Sequence, residues 1–195
     1  MEVILKNVRL AFANVYKPKK SENGERYSAA FPIVPKSDNH KSLTAAMSKV
    51  ATDKWEKKGP AILVKLIEGG DVAFKERAAT DDAGEPFAGF EDMFTLNAGQ
   101  DKKKGQPLLI GSNKIDGAFP ILVEDDGVLY SGCWVNVKID VWAQDNTAER
   151  GGKRINAQLK TIQFVRDDES FGGGTKPSAE GFEDLGTAGA DDDMV

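Results

Sequence analysis

Between residues 130 and 144 apolar and polar side chains alternate without a slip, and that run limits what the chain can fold into. Cys133, Val135, Val137, Ile139, Val141 and Ala143 hold the odd positions, and Trp134, Asn136, Lys138, Asp140 and Trp142 the even ones. A period of two is a strand with one face in a core and the other at least partly available. A second run over 154–165 places Ile155, Ala157 and Leu159 on one parity but Ile162 and Phe164 on the other. One extra residue near Lys160-Thr161 restores the facing, and such bulges belong to strands that bend.

The remaining pattern is mixed. Val3, Leu5, Val8, Leu10 and Phe12 predict an opening strand with a register break at Lys6-Asn7. Residues 26–34 form a second extended run, with the polar, Lys-rich 18–24 between them as a hairpin loop. Pro35 stops extension and Ser37 or Asp38 can cap a helix, whose core face is Leu43, Met47, Val50 and Trp55 and whose stop is Lys57-Lys58-Gly59-Pro60. Residues 61–67 fit a strand or a helix end, and 80–86 a turn or exposed loop. Residues 90–97 and 107–110 read as strands around the polar loop 99–105. The fold class is all-β with one prominent helix, a β-rich α+β chain. An OB-fold Greek-key barrel and a sandwich fit that pattern about equally.

Charge divides the chain more sharply than hydropathy does. Of 26 Lys and Arg and 31 Asp and Glu, only Lys176 and six acids fall in 171–195, so the body 1–170 is neutral and the tail carries the net charge of −5. Phe171-Gly172-Gly173-Gly174 and the Pro/Ser residues after it cannot bury enough apolar surface to offset the entropy of ordering. Two units follow, a folded body 1–170 and a disordered acidic C-terminal tail 171–195 closing on Asp191-Asp192-Asp193-Met194-Val195. Those carboxylates can compete with phosphates for a basic groove, and the apolar end can dock on a partner.

Several chemistries are unsupported. One cysteine, Cys133, and one histidine, His40, cannot build a Cys/His zinc site or an internal disulfide. His40 reads as a solvated residue at a helix start. Glu124-Asp125-Asp126 precede Gly127 in an apparent turn, a weak basis for a nuclease. The glycines lack phosphate-loop order, and neither a signal peptide nor an apolar stretch of membrane length occurs. No catalytic residue, metal or cofactor is expected, and the setting is cytoplasmic.

Binding is a different matter. Trp134 and Trp142 bracket Lys138 on the non-core parity, with Tyr130 beside them, as base stacking and phosphate contact would require. Basic residues interleaved with aromatics, Tyr16, Lys17, Lys19, Lys20, Arg26 and Tyr27, flank the first hairpin. Arg150, Lys153 and Arg154 sit in the last hairpin, and Lys102, Lys103 and Lys104 in a middle loop. Both tryptophans can equally be covered, and lysine runs are usually solvated surface. These residues leave open a single-stranded DNA binder and a protein-interaction adaptor without DNA affinity.

Longer stretches narrow the choice. Tyr130-Ser131-Gly132-Cys133-Trp134-Val135-Asn136-Val137, Ile162-Gln163-Phe164-Val165-Arg166-Asp167 and Phe171-Gly172-Gly173 resemble phage-encoded single-stranded DNA-binding proteins. So does the opening Lys6-Asn7-Val8-Arg9-Leu10-Ala11-Phe12 with Tyr27-Ser28-Ala29 and Phe31. The resemblance implies an OB-fold protein that coats single strands during phage replication and recombination. It also implies an acidic tail that engages a phage DNA polymerase or other replication proteins, although this one ends on Met194-Val195 rather than an aromatic residue. A homodimer is compatible with it, and a membrane partner is not implied.

Overall fold

The structure, a computed structural model, describes residues 1–21 and 24–171. Eight strands are found among them: β1 Glu2–Arg9, β2 Ala11–Ser21, β3 Gly24–Ile33, β4 Phe74–Lys75, β5 Phe94–Asp101, β6 Leu108–Ile110, β7 Trp134–Asp145 and β8 Lys153–Arg166. They form one open sheet in the order β1-β7-β8-β5-β3-β2, with β4 on β5 and β6 on β8. β1 also approaches β3, so the sheet curls around the main core as a partly open barrel does, with a small second cluster at Ala11, Ala30 and Phe90. A sandwich of two sheets is not what forms.

The strand pattern read from the sequence survives, with instructive shifts. Val135, Val137, Ile139 and Val141 are buried and the even positions of β7 are not. The bulge expected at Lys160 is present: Lys138 pairs with Thr161 and Ile139 with Leu159, leaving Lys160 as the extra residue. The break at Lys6-Asn7 is present too, between Leu5↔Val137 and Val8↔Val135. There the N–H groups of Lys6 and Asn7 donate to the side chains of Asn39 (3.1 Å) and Asn136 (3.0 Å), so the slip leaves no buried donor unsatisfied.

Residues 18–21, expected in a loop, continue β2. Pro18 is tolerated because β2 is an edge strand, where a missing N–H breaks no ladder. Phe12, expected on the opening strand, belongs to β2 as well, and β5 starts and ends four residues later than anticipated.

Helix α1, Asp38–Trp55, begins on Ser37, whose hydroxyl accepts from His40 N at 3.2 Å. The expected stop is only half right. The chain breaks at Glu56, with φ 50°, and resumes as α2, Gly59–Gly69, with Pro60 in its first turn where no N–H is needed. Gly59 is obligatory there, because a Cβ would lie 2.6 Å from the Ala51 carbonyl oxygen of α1. The stretch 61–67 is therefore helix, with Leu63 and Leu66 in the core. His40 is not solvated but largely covered. Its Nδ1 accepts from Lys36 N (2.9 Å) and its Nε2 faces Glu76 (3.1 Å).

One joint in the sheet matters for the site. β5 and β8 run parallel and pair directly at a single position, Gly99↔Gln158. Past it, the chain leaving α2 is inserted between them. Ile155 N donates to Asp71 O (3.1 Å), Ala73 N to Ile155 O (2.8 Å) and Asn97 N to Ala73 O (2.9 Å).

Candidate nucleic-acid interface

A groove of about 890 Å³ crosses the outer face of the sheet over this joint. Its floor comes from outward positions of β3, β5 and β8, in register as Ser28↔Gly99 and Ala30↔Asn97, with Asn156 and Gln158 alongside. Small side chains and carboxamides line it, so a polymer can lie close to the backbone. At its margins are two aromatic side chains more than a third exposed, Phe12 (45%) and Trp142 (39%). Phe12 is splayed outward by a left-handed backbone, φ 49°, and packs edge-on against Phe87 with centroids 5.0 Å apart.

Six cations line the groove: Lys19, Lys20, Arg26, Lys75, Lys104 and Arg154. Lys19 and Arg26 are direct cross-strand partners, a like-charge pairing that destabilises a hairpin, while Arg26 also faces Asp101 on β5 and Lys20 faces Glu25. No carboxylate of the described residues lies within ion-pair distance of Lys19, Lys20, Arg26 or Lys75. Arg154 is the exception, 3.1 Å from Asp71. Unneutralised cations beside exposed aromatic rings can hold a phosphate backbone while bases stack.

Of the side chains singled out from sequence, Lys19, Lys20, Arg26, Lys104, Trp142 and Arg154 meet in this groove. The others do not. Trp134 shares the parity of Trp142 but is covered, its Nε1 donating to Asp168 Oδ2 at 2.6 Å while Arg166 and Arg9 sit 4.4 and 5.5 Å from the ring centroid. That hydrogen bond, then the Glu169 N–H and the two arginines, hold the Asp168 carboxyl below its ordinary value. Tyr130 is tied to the same corner, its hydroxyl donating to Asp168 O at 2.7 Å.

Three of the basic candidates outside the groove have partners. Lys138 pairs with Glu2 (3.1 Å) and Lys17 with Glu124 (2.6 Å). Lys153 binds Asp145 and lies 5.3 Å from the Trp55 ring centroid. Tyr16 packs on the core, and burial raises the pKa of its hydroxyl despite the Leu129 backbone contact. Tyr27 is half-buried on the parity opposite to Arg26. The side chain of Arg150 and the tail residues Asp191, Asp192, Asp193, Met194 and Val195 lie outside the described residues. Sequence reasoning missed Phe12 and Lys75, and it singled out Lys104 only as part of a basic loop. Only Lys104, in its basic run, carried a signal.

A family model described as Enterobacter phage Enc34, ssDNA-binding protein, matches residues 1–195. A putative protein p50 of Acyrthosiphon pisum secondary endosymbiont phage 1 is 32% identical over 192 residues, 96% of each chain. Among solved structures, the single-stranded DNA-binding protein of bacteriophage Enc34 in complex with ssDNA aligns with a TM-score of 0.56 at 22% identity, over 87% of this chain and 89% of that one. The single-stranded DNA-binding protein gp2.5 of bacteriophage T7 aligns at 0.51 and 16% identity, over 91% and 98%. These two likenesses establish a shared fold.

Proposed function

The chain belongs to the family of the Enterobacter phage Enc34 ssDNA-binding protein, and from that premise we propose that it coats single-stranded DNA through the groove above, without catalysis, during phage replication and recombination. One observation carries the placement: Lys19 and Arg26 face each other across a hairpin, neither within ion-pair distance of a carboxylate of the described residues, beside exposed Phe12 and Trp142.

In this reading Lys19, Lys20, Arg26 and Lys75 contact phosphates, and Trp142 and Phe12 each take a base, worth about 1–3 kcal/mol per stack. The body 1–170 binds DNA in the host cytoplasm. The acidic tail 171–195 recruits replication partners or competes for the groove. The test is titration of the full chain with oligo-dT at two salt concentrations, following tryptophan fluorescence and mobility. Quenching should weaken with salt at a log–log slope of roughly −0.7 per phosphate contacted. No quenching and no mobility shift at low salt would sink the proposal.

A further inference from the structure

We propose that Gln100 and Gln158 are positioning residues that present Lys104 to the DNA backbone; this rests on the groove being the single-strand site. Gln100 is one of two polar side chains fully in the interior among the described residues, 7% exposed. A buried carboxamide has to be satisfied at both ends. Its Nε2 donates to Gly105 O at 2.9 Å, and its Oε1 accepts from Gln158 Nε2 at 2.8 Å. Gln158 Oε1 is thereby turned to the Lys104 ammonium, 3.3 Å away.

Because Gly105 follows Lys104, these bonds close a ring through the backbone. The ring has one orientation only. A lysine ammonium can only donate and a carbonyl can only accept, so both amides are dictated from their ends.

The consequence is electrostatic as well as geometric. Lys102, two residues away, is committed to Glu25 at 2.7 Å, a hydrogen bond that raises its pKa. Lys103 N is held by the Asp101 carboxylate at 2.8 Å, which fixes the turn. Lys104 alone of the three lines the groove, and its acceptor is a neutral amide rather than a carboxylate. It keeps an uncompensated charge on a fixed support and exchanges a neutral acceptor for a phosphate oxygen. Gln158 sits at the single β5–β8 pairing, so this support is rooted in the groove floor.

The experiment uses the full chain and fluorescently labelled oligo-dT, with affinity measured by anisotropy across salt. Lys104→Ala should flatten the log–log slope by about 0.7, roughly a 2.5-fold change in relative affinity between about 50 and 200 mM salt. Gln158→Met, which keeps the volume but cannot accept from Lys104, should lose part of that increment. The double variant should bind no more weakly than Lys104→Ala alone. Additive losses, meaning that Gln158 acts independently of Lys104, would overturn the proposal. So would an unchanged slope in Lys104→Ala, a surface variant whose folding is not at risk. In both cases the wild-type chain still binds, whereas a wild-type chain that ignores oligo-dT overturns the ligand assignment itself.

Discussion

Trp134 and Trp142 leave β7 on the same side, eight residues and about 26 Å of strand apart, and have opposite surroundings. At one end Arg9, Arg166 and Asp168 close over the indole. At the other the ring stands at a groove lined by six cations and two acids, Asp71 and Asp101. Strand parity identifies the face that is not core. It does not decide whether later chain covers that face, and β7 shows both outcomes.

Removing the groove cations that lack an ion pair should have the largest effect. Lys19→Ala, Lys20→Ala and Arg26→Ala together should flatten the salt slope by about 2, a factor of roughly 18 between about 50 and 200 mM. The equivalent triple change at Lys17, Lys138 and Lys153 should leave the slope unchanged, as those lysines already have partners. Equal losses from the two triples, measured by filter binding across salt, would erase the distinction.

The two tryptophans come next. Trp142→Ala should cost about 1–3 kcal/mol of oligo-dT affinity with little effect on folding. Trp134→Ala should do the reverse, lowering the urea-unfolding free energy by about 2 kcal/mol with binding kept. A Trp134 variant that folds normally but fails to bind would move the site.

The smallest effect is in acid. The folded-state pKa of Asp168 is depressed, so its contribution is complete above the ordinary aspartate value of about 4 and is lost as pH falls through the lower folded value. Unfolding midpoints followed down that range should drop less steeply in Asp168→Asn than in wild type. DNA affinity, compared at neutral pH, should be equal in the two. Parallel acid limbs would separate Asp168 from the stability of the corner.

Much of this architecture was legible because it is local. The β7 alternation, the Lys160 bulge and the Lys6-Asn7 slip each depend on side chains a few positions apart, and register forces them into view. The rest depends on distant encounters. Pro18 looks like a loop until β2 is known to be an edge. Residues 61–67 become a helix because Gly59 lets a second helix settle on Ala51. Phe12 reads as core unless its left-handed backbone is seen. Trp134 is hidden by Arg9, at the other end of the chain, and nothing within strand 134–145 announces that partner. In the groove, the residues already singled out were those whose charge or ring stood out. The carboxamides that orient Lys104 have no such mark.

The groove floor is a seam rather than a continuous ladder, because β5 and β8 share one pair and are otherwise stitched by residues 71–73. Backbone hydrogen bonds through residues 71–73 and the Gln158–Gln100 carboxamide bond take the place of the missing ladder. A short insert of this kind joins two half-sheets without lengthening either, so the hairpins that carry groove cations, β2–β3 and β7–β8, stand on opposite sides of one seam.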